Sequence, residues 1–363
     1  MVKQKEAQAL PGKVVLVLQG GGALGAYQLG VYQAMHEAGV EPDWVIGTSI
    51  GALNGAIIAG NPPEQRLNRL RQFWQTMEQH SALFPNMPRL FANALTVTQG
   101  IPAFFDPNPV TWWNPAAKVG IENAAFYRTN ALRNTMESLV DFKYLNERHT
   151  RLTVGAVSAR NGVMRYFDTR KEALDVSNIL ASAAIPPAFP AIRIGEEPYW
   201  DGGIYSNTPI EAVLDDEPRR DSVIFSVQVW NPDGSEPQSV LDVLEKHKEI
   251  QYASRASHVE QQRKLHRLRH VIRELTKRLP EEVRQSPEVR ELSLWGCGTS
   301  MHIVMMKAPH LHCEDHTKDI DFSQDGISQR WQAGYKDGKR AFKAKPWAEQ
   351  PDPIEGIAIH EHF

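Results

Sequence analysis

Cysteine is scarce. The chain has 363 residues and only two of them, Cys297 and Cys313, which cannot build a disulfide framework and suit a reducing compartment. An excess of one charge is also missing: 40 Lys and Arg stand against 43 Asp and Glu, for a net charge of −3. No overall field therefore draws the chain to nucleic acid or to an anionic membrane. Long hydrophobic runs are absent, the most apolar stretches being "VVLVL" and "AIIAG", far too short to span a bilayer. The N-terminal "MVKQKEAQALPGK" lacks the apolar core of a secretory signal, so the expected location is cytoplasmic. No internal repeat or low-complexity tract is evident. The remaining composition, 42% hydrophobic and 23% charged, is that of a soluble globular chain with enough material for one large domain or two ordinary ones.

The pattern of elements is α/β. "KVVLVL" (13–18) is short, continuous and β-branched, as a buried strand is, and a glycine cluster follows it. Residues 26–36 have helical spacing and Gly39 supplies a stop. "DWVIG" reads as a second strand, "ALNGAIIAG" as a helix of small residues able to lie close to a sheet, and "EQRLNRLRQFWQTMEQ" as an amphipathic helix. Strand and helix alternate, which argues for a layered fold with parallel neighbours. Residues 80–127 interleave prolines and aromatics without clear period and read as an irregular insertion. Strands are expected again at "RLTVGAVSA", "MRYFDT", "PYWDGG" and "DSVIFSVQVW". Beyond a turn-rich linker, residues 231–345 read as a mostly helical extension that includes one strand, "SMHIVMMKA". The termini, 1–12 and 346–363, read as loose.

Two motifs carry chemistry. "GTSIG" (47–51) sits between a strand and a helix, the setting of a nucleophile elbow, in which a serine on a strained turn is flanked by small residues. Ser49 is then a nucleophile, Gly47 and Gly51 make room for the turn, and the Ile50 N–H is a candidate oxyanion donor. Taken alone, the pentapeptide is equally a glycine-bounded turn with Ser49 as helix N-cap. "GGGALG" (Gly20, Gly21, Gly22 and Gly25) also lies between strand and helix. It can present bare N–H groups to developing negative charge, or to the pyrophosphate of a dinucleotide. The dinucleotide reading needs an acidic residue at the end of the second strand. Asp43 stands at its beginning, and the serine turn occupies the end. A base is supplied most simply by Asp201 in "YWDGGIYSN", at a strand end with open glycines beside it; by itself it is also an ordinary turn aspartate. A Ser, Asp, His order is not excluded by composition, but the elbow comes too early in the strand order for that arrangement.

At this point a family resemblance is carried by whole blocks. "GGGALG", "GTSIGALNGA", "ASAAIPPAFP" and "DGGIYSNTP" resemble, in order and rough spacing, the patatin-like phospholipases over about residues 14–230. The resemblance implies a three-layer α/β/α fold and a Ser–Asp dyad without histidine, with Ser49 as nucleophile, Asp201 as base and Gly20, Gly21, Gly22 and Gly25 shaping the oxyanion loop. It implies a hydrolase of lipid or other hydrophobic carboxylic esters, with no cofactor and no metal. Two positions depart from the family pattern: Gln19 replaces an Asp and Leu24 a basic residue, which admits a catalytically weak acyl-ligand or protein-binding member as the alternative. A nucleotide-binding protein is the weakest of the three readings. Peripheral membrane contact and self-association stay open; nucleic acid is not expected.

Three further signals have ordinary readings beside functional ones. Trp112 and Trp113 in "IPAFFDPNPVTWWNP" suit a lid or bilayer interface, or simple packing on the core. Residues 245–279 carry ten Lys and Arg against four acids, with Leu265, Leu268, Ile272, Leu275 and Leu279 on one stripe, as in a helix on lipid, on another subunit, or on its own domain. His310, His312, Cys313 and His316 look like metal ligands but lack a clean second pair, and a polar loop is the expectation.

Overall fold

A computed structural model describes residues 10–78, 96–253, 258–311, 314–349, 352 and 354–361. The central element is strand β1 (Lys13–Leu18), whose residues Val15 to Leu18 are all essentially sealed from solvent. It lies between β2 (Trp44–Gly47) and β9 (Ser222–Gln228), both parallel to it, with Leu18 opposite Gly47 on one side and Val227 on the other. The three C-terminal ends therefore come level. Burial on both faces explains why β1 is a continuous apolar run rather than an alternating one. Val14, Leu16 and Leu18 join one core cluster; Val15 and Val17 join a second on the opposite face.

The first face is covered by α1 (Ala26–Glu37), α2 (Ile50–Ala59) and α3 (Pro63–Met77), whose apolar residues fill the larger cluster. Sheet growth continues through β5 (Arg151–Ser158), parallel to β2 and antiparallel to β6 (Met164–Asp168) and β8 (Glu197–Asp201); β8 in turn pairs with β7 (Ile192–Ile194). Helix α4 (Val176–Ser182) opens with a capping box between Asp175 and Asn178. The short helix α5 (Glu211–Leu214) supplies Val213 and Leu214 to the second cluster. A two-stranded ribbon, β3 (Asp106–Pro107) with β4 (Tyr127–Arg128), lies in the region read as an irregular insertion; residues 79–95 of that region lie outside the described residues.

The C-terminal region is mostly helical, as expected, with α6 (Val240–Ala253), α7 (His258–Arg278) and α8 (Gln324–Ala344). It is not a separate body. β10 (Met301–Lys307) pairs in parallel with β9 and β11 (Ile357–His360) with β10, completing one nine-stranded mixed sheet. The tail expected to be loose thus contains an edge strand. Helix α8 lies directly on α1, backbone against backbone: a Cβ on Gly334 would come within 2.0 Å of the Tyr27 carbonyl oxygen, and one on Gly30 within 2.0 Å of that of Trp331. Tyr27 and Asp337, Gln33 and Trp331, and Glu37 and Tyr335 bond across the same seam. Among the described residues no helix is long and apolar enough to cross a membrane.

Candidate active site

β2 ends at Gly47, and the chain reverses at Ser49 into α2. Ser49 has φ 56° and ψ −126°, a conformation costly for any residue with a side chain. The surrounding backbone enforces it. A Cβ on Gly47 would sit 2.2 Å from the Gly51 carbonyl oxygen, and one on Gly51 would sit 2.2 Å from that of Leu18. The Ser49 N–H donates to Ser182, to the carbonyl at 3.0 Å and the hydroxyl at 3.2 Å, and that hydroxyl donates to the Gly155 carbonyl at 2.6 Å. Helix α4 thereby anchors the turn to β5.

Sheet register explains how Asp201 reaches Ser49 from so far along the chain. Arg151 N–H points to Asp43 at the start of β2 and Ala159 N–H to Pro198 on β8, whereas Ser158 N–H points to Val163 beside β6. β2 and β8 therefore share one edge of β5 and meet end to end. Gly47 lies opposite Val154 and Asp201 opposite Ala156, so the two chain ends stop about two residues apart along that edge. Ser49 and Asp201 line the same cleft, and the Ser49 hydroxyl comes close enough to Asp201 to lower the pKa of its carboxyl. Asp201 is 1% exposed, and burial raises its carboxyl from 3.8 to about 7, against the hydrogen bonds from Ser49 and the Gly203 N–H, which pull it down. Asp201 is thus a carboxyl that titrates near neutrality rather than a permanently ionised group.

The glycine loop closes over this pair. Gly20 is tied down, its N–H donating to the Asn207 carbonyl at 3.1 Å and its own carbonyl accepting from Asn207 Nδ2 and Trp230 Nε1. Gly25 lets the loop rest on α2, since a Cβ there would meet Ile50 Cγ1 at 2.6 Å. Among the described residues, the N–H groups of Gly21, Gly22 and Ile50 have no protein acceptor, and all three residues line the cleft holding Ser49 and Asp201. The cleft has a volume of about 180 Å³ and is mostly aromatic and aliphatic, with Phe104, Phe105, Tyr127, Phe189 and Phe322 among its walls. No histidine lines it among the described residues.

The two departures from the family pattern have structural explanations. Gln19 is fully buried and binds three segments at once: its Oε1 accepts from the N–H groups of Val229 and Trp230, and its Nε2 donates to Thr208 Oγ1 at 2.7 Å and the Tyr252 carbonyl at 3.3 Å. Leu24 is a core residue under the loop. Sequence reasoning missed the C-terminal contribution altogether. Tyr252, Asp319, Ile320 and Phe322 line the cleft, and the Asp319 carbonyl would be 2.3 Å from a Cβ on Gly22, whose φ is 55°. Nothing local in the sequence marks these residues, because they arrive through the packing of α6 and α8.

Other readings fare differently. Trp113 is 92% exposed while Trp112 packs on Phe126 and Tyr127; Phe104 and Phe105 of the same segment point into the cleft. His310 donates to the Asp233 carbonyl and His316 is part-buried, whereas His312 and Cys313 lie outside the described residues. The leucine stripe of α7 does not face the domain: Leu265, Leu268, Leu275 and Leu279 are exposed.

A family profile described as "Patatin-like phospholipase" matches residues 16–214, more than half of the chain. The chain belongs to the patatin-like phospholipase family. A second profile, "Patatin phospholipase", matches residues 250–354, so the C-terminal region too has its counterpart among patatin phospholipases. Among curated proteins, the chain is 56% identical over 54 residues to the lysophospholipase nte1 of Aspergillus terreus, and 44% identical over 69 residues to the human patatin-like phospholipase domain-containing protein 6. These stretches are 15% and 19% of this chain but only 4% and 5% of those much longer relatives. Among solved structures, VipD from Legionella pneumophila aligns over 95% of this chain and 72% of its own, at 14% identity and a TM-score of 0.40.

Proposed function

We propose that the protein is a lipid acyl hydrolase that cleaves carboxylic esters of hydrophobic acyl chains through a Ser49–Asp201 dyad. Ser49 Oγ attacks the ester carbonyl while Asp201 takes its proton; the tetrahedral oxyanion is received by the N–H groups of Gly21, Gly22 and Ile50; on collapse Asp201 returns that proton to the departing oxygen, which leaves as the alcohol, and an acyl-enzyme remains. Water, activated by the same carboxylate, then releases the fatty acid. A carboxylate at its ordinary pKa is a poor base for a hydroxyl, and the burial that lifts Asp201 to about 7 narrows the mismatch. Each oxyanion donor is worth about 2.7–4 kcal/mol to the transition state. The aromatic cleft fits an acyl chain, and family membership supports the same class of substrate.

The observation that carries this reading is the meeting of a strained serine and a buried carboxylate in one apolar cleft, beside three amides without a protein acceptor among the described residues. Hydrolysis of a medium-chain nitrophenyl ester and of phospholipid vesicles by native protein and by Ser49→Ala tests it. The variant is expected to fold and to lose turnover of both substrates. Turnover by folded Ser49→Ala at the native rate removes Ser49 from the reaction.

A further inference from the structure

Helix α7 presents an unusual inner face. Its leucines point outward, and among the described residues the two side chains it buries deeply are His266 and His270, 2% and 5% exposed and one turn apart. The loop ahead of β10 is fastened beneath them: the Cys297 N–H donates to the Arg269 carbonyl at 3.1 Å, and Cys297 itself is 7% exposed. The Thr299 carbonyl oxygen of this loop lies 3.0 Å from Nε2 of both imidazoles. The ligating atoms of His266, His270 and Cys297 lie within 4.8 Å of one another. Gly356, just ahead of β11, packs against the pair: a Cβ there would fall 2.4 Å from His270 Nε2 and 2.7 Å from His266 Cδ2, so only a residue without a side chain fits beside the rings.

We propose that His266 Nε2, His270 Nε2, Cys297 Sγ and the Thr299 carbonyl oxygen bind one Zn²⁺ ion, remote from the ester-cleaving cleft. A tetrahedral zinc site with these donors needs ligand atoms about 3.3–3.6 Å apart. The two nitrogen–oxygen edges are already close to that length, and the remainder needs a contraction of about 1 Å, within reach of χ rotation. Two histidines four apart on a helix with a thiolate select a borderline-soft ion over magnesium or calcium. On binding, the Cys297 thiol releases its proton to solvent, and each neutral imidazole, whose Nε2 proton faces the Thr299 carbonyl in the metal-free site, carries its single proton on Nδ1 instead. Arg269 and Arg219 lie nearby, and Asp215, 3.8 Å from Arg269, and Glu217, 2.6 Å from Arg219, offset their charge. The other cluster of this kind among the described residues, Glu245, Glu249 and His310, is instead filled by the Lys318 ammonium, 2.7 and 2.5 Å from the two carboxylates. The zinc ties α7 to the loop that enters β10 and so to the sheet; its role is structural.

Loading the chelator-stripped full-length protein with Co²⁺ tests the site. One equivalent is expected to bind with a thiolate-to-cobalt charge-transfer band that Cys297→Ser abolishes and His302→Gln, at a histidine outside the cluster, leaves intact. As a second measurement independent of the variants' folding, saturating Zn²⁺ should raise the Tm of the native chain by about 3 °C or more, reversibly with chelator. Absence of the band in the native protein, a band unchanged in Cys297→Ser, or a Tm indifferent to Zn²⁺ would overturn the proposal and leave the histidine pair as a hydrogen-bonded packing element.

Discussion

Asp201 illustrates how much of the proposed chemistry depends on one buried group. Between its ordinary value of 3.8 and the buried value of about 7, the folded chain holds a proton that the unfolded chain has released. Stability therefore falls as pH rises through that window, and above it the cost is constant at about 4 kcal/mol. Asp201→Asn is expected to be more stable than the native chain by about 2–4 kcal/mol at pH 8, with the gap closing as the pH falls to about 4. Urea denaturation at both pH values checks this; equal stability at pH 8 means the carboxyl is not held against its preference. The same group should make ester turnover rise about tenfold per pH unit below 7 and level off above. Ser49 and Asp201 were legible in the sequence because a turn this tightly packed has to be written in adjacent small residues. The raised pKa was not, since it comes from burial supplied by distant segments. Gln19 and Leu24 stood out as departures, but only the hub of bonds around one and the core around the other say why they are tolerated.

Among the elements, the seam between α1 and α8 carries the oxyanion loop's support. Gly334→Val forces a branched side chain into the Tyr27 backbone, and overpacking of this kind costs about 1–3 kcal/mol. Because α1 begins where the glycine loop ends, the variant should lose ester turnover as well as Tm; loss of neither would mean the seam does not support the loop. Periodicity announced α8 and β10 as a helix and a strand, yet said nothing of their partners, which lie far off along the chain. For α7 it located the leucine stripe but not the direction it faces, and the core takes the histidines instead. Trp113 is almost wholly exposed next to a segment that lines the cleft, as the aromatics of a bilayer interface are. Trp113→Ala is expected to weaken partition onto phospholipid vesicles several-fold while sparing turnover of a soluble short-chain ester; unchanged partition removes this contact.

For the whole molecule, the decisive feature is that one sheet runs from the first strand to the last. Phe342 and Trp347, from the C-terminal region, pack on Phe225 of β9, and Tyr252, Ile320 and Phe322 wall the cleft. A chain cut after residue 230 leaves β9 as a bare apolar edge and is expected to aggregate; soluble expression with cooperative unfolding would show instead that the first 230 residues are self-sufficient. The catalytic half was readable from its motifs because they are local blocks. The joining of both halves was not, because parallel pairing of β9 with β10 is a contact between segments whose patterns are each complete in themselves.

The pairing of Ser49 with Asp201 is tested most directly by fluorophosphonate labelling, followed over pH and mapped to the modified peptide. The expected result is a single adduct on Ser49, whose rate of formation climbs to a plateau near pH 7 and collapses in Asp201→Asn. An adduct on another residue, or labelling of Ser49 in Asp201→Asn at the native rate, would contradict it.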